Sequence, residues 1–407
     1  MAKTDCVVVG GGYTGIAAAH RLAQYGHSVV LLEAGSRLGG LASGFEFSDG
    51  VEADKFYHHW FLSDEHITGF VREIGHGDKI RTSPVHTGTY VGKQFWRLSS
   101  PLDLLRFRHI SLTARLRLGI AVLAVKTMPY SDRLAQITTR DWLEPLAGRE
   151  AFDAVWLPLL KKKFGVYAED VSAAWMWKKL SLRGLSRTRG GRETLAFFHG
   201  GFSELNRILD RHLRAQGVRV ELNTKVASLE TSSDAVTSVV TDSGEKFEAK
   251  TFLFTVPEPR LVSILNTADN NEDQRPTTPY LSNVCLVLKL ARNLSDVYWT
   301  NINDSDFPFV GVIQHTNLDD PDQFGGHSVV YLSEYTEENS EQFAMSDEAY
   351  LQRALPFLRQ IYPDFDESWV VESKIWRAQH AHPVPLKGYP DVIPPTRTSY
   401  RNVRAAN

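Results

Sequence analysis

Residues 5–41 read DCVVVGGGYTGIAAAHRLAQYGHSVVLLEAGSRLGGL, a run that fits one kind of supersecondary unit and few others. Residues 6–9 form an apolar strand that passes straight into Gly10-Gly11-Gly12-Tyr13-Thr14-Gly15, a G-x-G-x-x-G turn. A helix follows, with Ile16, Ala17, Ala19, His20, Leu22 and Ala23 as a small-residue packing face, and Gly26 ends it. Residues 28–32 make a second apolar strand that finishes at Glu33. Each part has a physical task. Gly10 permits the tight turn, Gly12 lets the backbone approach a pyrophosphate, and Gly15 lets helix and strand pack closely. The helix N-terminus offers free N–H groups and a positive dipole end to phosphate oxygens. Glu33 stands where a carboxylate accepts hydrogen bonds from an adenosine ribose, and an acid there disfavours a 2′-phosphate. Strand, turn, helix, strand and acid in register predict a dinucleotide-binding unit that opens an α/β fold.

Arg37-Leu38-Gly39-Gly40-Leu41 follows at once. Two glycines after an arginine make a second backbone concavity, and the guanidinium can neutralise phosphate charge. This segment resembles the R-x-G-G motif of the flavin-containing amine oxidase, protoporphyrinogen oxidase and phytoene desaturase superfamily, a group that includes UDP-galactopyranose mutase. The order of elements over 196–260 resembles it too. There His199-Gly200-Gly201-Phe202-Ser203 opens a helix through Leu213, with Ser203 as its predicted cap, and strands follow at 218–222, 225–229, 235–241, 246–248 and 252–256. The resemblance runs over roughly the whole chain and is specific in these two regions. It implies FAD as cofactor, held by Gly10, Gly11, Gly12, Tyr13, Thr14, Gly15, Glu33, Arg37, Gly39, Gly40 and Leu41. Val226 matches the valine that lines the adenine, and a core strand valine fits the same pattern.

The expected architecture is a Rossmann-type FAD-binding domain (1–75, 196–262 and 371–407) interleaved with a mixed α+β substrate-binding domain (76–195 and 263–370). In the superfamily the last strand is followed by a G-D pair and a helix. Here the sequence stops at 400–407, about where that strand is expected to begin. Two explanations fit: a truncated version of a longer enzyme, or a chain that has lost tight flavin binding.

A flavin supplies the reactive centre, so the protein has to bind, orient and tune. Two clusters are candidates. Asp54-Lys55-Phe56-Tyr57-His58-His59-Trp60 matches the stretch that passes beside the flavin in the resembled families. Adjacent histidines on an extended chain point to opposite sides, so one is expected at the cofactor and one in the core, with His58 preferred. The second cluster, 375–385, carries Arg377, whose guanidinium suits a carboxylate or phosphate; a surface salt bridge is the competing role. No metal is expected. The main reading is an FAD-dependent oxidoreductase acting on a small-molecule substrate. A redox-neutral nucleotide-sugar mutase, with arginines 183, 187, 189 and 192 on a diphosphate, is an alternative, as is a flavin-free binding protein.

Composition narrows the setting. Apolar residues make up 43% and charged residues 23%, as in globular proteins, and the net charge of −3 gives no general attraction to nucleic acid. Two cysteines without metal-type spacing, and a first strand that starts after four residues, make the cytoplasm the expected compartment. Residues 102–128 are apolar with Arg106, Arg108, Arg115 and Arg117 interspersed. Packing on the domain core or over a cavity is expected there ahead of peripheral membrane contact.

Overall fold

The computed structural model describes residues 4–186, 193–267 and 278–406. Its first sheet is built on β1 (Thr4–Val9), α1 (Tyr13–Gln24) and β2 (Val29–Leu32). β1 is the hub: it pairs in parallel with β2 on one side and with Lys246–Phe254 on the other. Arg219–Glu221 extends the parallel part beyond β2, and an antiparallel meander of Ala235–Thr241 and Val226–Ser232 extends it beyond Lys246–Phe254. The sequence reading split that long strand at 249–251. Ala249, Lys250 and Thr251 carry no turn signal, and the strand runs through them unbroken.

Alternation along β1 fixes the layers. Cys6 and Val8 pack with Ile16, Ala19, Leu205 and Leu209, beneath α1 and the helix Gly201–Ala215. Val7 and Val9 face the opposite way, into a cluster with Val226, Phe252, Phe254 and Leu261. Both faces of β1 are thus buried, as its unbroken apolar run requires. Val403–Ala405 pairs in parallel with Phe252–Phe254, so the strand expected to begin near the last residues is present in the sheet.

The second sheet has seven strands, in the order Val370–Pro383, Tyr280–Leu290, Ser328–Thr336, Gly311–Gln314, Trp299–Ile302, Thr87–Val91 and Gln94–Arg97. Helix Asp347–Ile361 covers one face through Tyr350, Ala354, Leu355 and Leu358. Residues 371–383 were assigned from sequence to the nucleotide-binding unit. They stand instead in the second sheet, because Val370–Pro383 forms a long antiparallel ladder with Tyr280–Leu290. A short sheet of Trp60–Phe61, Glu193–Phe198 and Ile80–Val85 links the two halves.

Helix Leu112–Thr127 starts at Ser111, whose hydroxyl accepts from Ala114 N. It buries Ala114, Leu118, Ala121 and Val125 in the helical core and leaves Leu112, Leu116, Ile120 and Leu123 exposed. Its arginines do not form a charged face. Arg115 donates to the Leu105 and Ile110 carbonyls, and Arg117 to those of Pro145 and Leu146. Among the described residues no helix is long and apolar enough to cross a membrane.

Candidate cofactor and active site

The glycine turn is held by contacts that admit no side chain at two of its positions. Gly10 adopts φ +110°, and the Thr255 hydroxyl donates to its carbonyl at 2.9 Å. A Cβ on Gly15 would lie 1.9 Å from Gly10 O, so β1 and α1 touch backbone to backbone there. Gly12 differs: a Cβ added to it would meet no atom within 4 Å. It caps α1 without any side-chain bond, so the first N–H groups of the helix face that open space. The second glycine pair closes over the same place. Gly39 N donates to Gly11 O at 2.8 Å, and a Cβ on Gly40 would come 3.2 Å from Gly12 Cα. Gly39 has φ +114° and lies against Asn206, whose amide donates to Ala42 O at 2.7 Å and so clamps the turn.

Glu33 is fixed at the end of β2. Its carboxylate accepts from Gly11 N at 2.6 Å and Gly35 N at 2.7 Å, which leaves a lone pair on each oxygen for a hydroxyl donor. Arg37 does not aim at the phosphate region. Its guanidinium binds Glu52 at 2.9 Å and Glu46 at 2.5 Å, and these carboxylates reinforce its charge. The R-x-G-G arginine here ties its turn to the neighbouring hairpin.

Gly12, Gly39 and Leu41 border a cleft of about 330 Å³ whose far wall is His58, His59, Trp60 and Phe202. Tyr13 also lines it, edge-on to Phe202, and among the described residues its buried hydroxyl has no hydrogen-bond partner. Both histidines line this cleft, against the expectation that one would turn to the core. That expectation assumed an extended chain, whereas residues 57–59 lie outside any strand. His58 Nδ1 meets Phe56 O at 2.8 Å, and His59 Nδ1 meets the Tyr298 hydroxyl at 3.0 Å. Desolvation lowers both imidazoles, His59 to about 3 with help from the charges of Arg183 and Lys179. The imidazole signals of His59 are therefore expected to stay constant between about pH 5 and pH 8 in a heteronuclear NMR titration. A midpoint within that window would contradict the burial described.

A family model described as flavin containing amine oxidoreductase matches residues 13–407. The chain belongs to that family. A 15-cis-phytoene desaturase of Solanum lycopersicum is 24% identical over 272 residues, covering 62% of this chain and 46% of the relative. The carotenoid phi-ring synthase of Streptomyces griseus is 29% identical over 185 residues, covering 41% and 36% of the two chains. The matched region spans about half the length of the desaturase and a smaller part of the synthase. Among solved structures, a putative protoporphyrinogen oxidase from Exiguobacterium sp. 255-15 aligns at a TM-score of 0.75 with 21% identity, over 100% of this chain and 94% of the other. A reduced UDP-galactopyranose mutase aligns at 0.73 with 15% identity, over 96% and 86%. These structures share the fold.

The cofactor of this flavin-containing family is FAD, and the residues present fit it. The open position at Gly12, the unpartnered Tyr13 hydroxyl and the pinned Glu33 carboxylate are what a dinucleotide with a planar ring system requires. Thr14 is exposed on the first turn of α1. Val226 is buried in the core beyond β1, and its carbonyl accepts from Arg260 at 2.8 Å.

Arg377 is remote from this cleft in its contacts. Its guanidinium donates to Phe343 O, Met345 O and Asp347, tying the second sheet to the start of helix Asp347–Ile361. Arg377→Met is expected to lower stability by ~1–2 kcal/mol, as lost hydrogen bonds of this kind do, with the flavin spectrum unchanged. Denaturant unfolding alongside visible absorbance checks both halves. Of the arginines considered for a diphosphate, Arg187, Arg189 and Arg192 lie outside the described residues, and Arg183 points to Trp299.

Sequence reasoning missed Asp54 as a structural acid. Helix Gly201–Ala215 has Gly200 as its cap and no side-chain bond of its own. Asp54 takes that role from another strand, accepting from Ser203 N at 3.1 Å and Phe202 N at 3.4 Å. Ser203, the predicted cap, sits inside the first turn and donates to Glu52 at 3.0 Å. Burial pushes the Asp54 carboxyl up to about 7, with Asp319 and Glu52 adding to the rise. The two glycines before Phe202 were the available signal, since a helix starting at Gly-Gly needs its cap from elsewhere.

Proposed function

We propose that this flavin-containing amine oxidoreductase family member is an FAD-dependent oxidoreductase that removes hydride from an organic substrate, with oxygen or another acceptor completing the cycle. The observation that carries this is the single cleft where the open Gly12 backbone meets the wall of His58, His59, Trp60 and Phe202. FAD, when bound, supplies a hydride-accepting ring system. The residues of this chain do the rest. Trp60 and Phe202 keep water from the wall, and Tyr13 presents a desolvated hydroxyl to the cleft. With pKa values held low, His58 and His59 are neutral near pH 7 and put no positive charge beside the cleft. Such a wall suits a carbon–hydrogen bond next to nitrogen, oxygen or an extended π system. The similarity to phytoene desaturases supports the last of these. The test is anaerobic mixing of holoprotein with amine, porphyrinogen and polyene candidates. Bleaching of the visible flavin band that returns on admitting air supports the reading, and activity that requires pre-reduced flavin with no net oxidant would replace it with the mutase-like alternative.

A further inference from the structure

Trp175, Lys179 and Arg183 recur every four residues along helix Ala173–Leu185 and therefore share one face. Helix Leu157–Phe164 brings Lys163 to the same place. The Trp175 ring lies 5.2 Å from Lys179 Nζ and 5.9 Å from Lys163 Nζ, so one indole borders both ammonium groups. From the second sheet Tyr335 closes in, its ring 4.1 Å from Lys163 Nζ. Among the described residues neither lysine meets a carboxylate; both have only aromatic partners. Among the described residues Arg183 has one acid within reach, Glu193 at 3.9 Å, and that carboxylate also takes the Thr87 hydroxyl at 3.0 Å.

Such a set is costly to hold together. Desolvation lowers Lys163 to about 7 and Lys179 well below its ordinary range, with the charges of Lys163 and Arg183 lowering Lys179 further. Contacts with aromatic faces steady each ammonium but leave the repulsion between them in place. Two desolvated lysines without a carboxylate partner, beside an arginine whose one acid is 3.9 Å away, fit a place where an anion is received and restores their charge. The location agrees. Trp299, under Arg183 at 6.0 Å, stands edge-on to His59 at 6.2 Å, and His59 lines the cofactor cleft.

We propose that Lys163, Lys179 and Arg183 form an anion-binding subsite next to the His59 side of the cleft, for a substrate with an apolar unsaturated body and a carboxylate or phosphate head group. The body rests on the oxidoreductase reading; the head group rests on the cations alone. The holoprotein is titrated by calorimetry with naphthyl phosphate, naphthoate and uncharged methoxynaphthalene. At least one anion is expected to bind about tenfold or more tightly than the neutral probe, and which one binds better identifies the head group. Lys163→Met/Lys179→Met is expected to lose that preference, keep the flavin spectrum and unfold at a higher temperature, because methionine keeps the stem and removes two amines whose charged forms the fold disfavours. Lys179→Arg is expected to keep the preference. Equal binding of charged and neutral probes by the parent protein, or an undiminished preference in the double variant, overturns the proposal. Should the double variant not fold, Lys179→Met alone serves the same test. Anion preference is read with or without flavin, so a preparation lacking FAD would count against the oxidoreductase reading and not against this subsite.

Discussion

Gly12→Val is expected to yield a folded protein that no longer holds FAD. Gly12 has φ −72° and ψ 176°, a conformation open to any residue, and a Cβ there meets nothing within 4 Å. The apoprotein should therefore lose no more than ~1 kcal/mol of stability, the scale of an altered helix cap. The valine would occupy the space where the pyrophosphate reaches the first N–H groups of α1. Losing two such charge-assisted bonds weakens binding by ~3–5 kcal/mol, or roughly a hundredfold to a thousandfold or more. Gly15→Val, three residues on, is expected to fail differently. Its Cβ would lie 1.9 Å from Gly10 O, so the β1–α1 packing itself must give way and the folded yield collapses. Circular dichroism with flavin titration separates the two. Equal loss of fold in both variants would contradict the assignment of Gly12 to the cofactor.

The second large effect is a pH dependence set by Asp54. Its carboxyl titrates at about 7 in the fold against 3.8 in the free side chain. Between those values the native state keeps a proton that the unfolded chain has released. Stability therefore falls as pH rises from about 4 to about 7 and levels off above, with a full contribution of ~2–4 kcal/mol. Asp54→Asn cannot ionise and still offers an oxygen to the Ser203 N–H. The variant is thus expected to gain on the parent protein by that amount between pH 4 and pH 8 in urea unfolding. A difference that stays flat with pH would mean that Asp54 titrates normally.

The sequence was most legible where backbone chemistry dictates residue type. Gly10, Gly15 and Gly39 are glycines because positive φ or direct backbone contact requires it, and the β1–α1–β2 unit follows from them. The helix predicted to run through Leu213 spans Gly201–Ala215. Side-chain partners were harder. Arg37 was read as a phosphate ligand, but Glu46 and Glu52 on a neighbouring hairpin claim it, and no local pattern announces a pairing set by tertiary approach. Arg377 illustrates the same gap, since its acceptors are two backbone carbonyls and an acid, all thirty or more residues away. Nothing in the local sequence marks the lysine pair at 163 and 179. Only the packing of two helices against the second sheet brings it among Trp175 and Tyr335.

The most direct measurement is the visible absorption spectrum of the purified protein, with the released nucleotide identified after denaturation. Stoichiometric FAD, lost in Gly12→Val and kept in Arg377→Met, is the result this account predicts. A folded protein that is colourless and takes up no added FAD would contradict it.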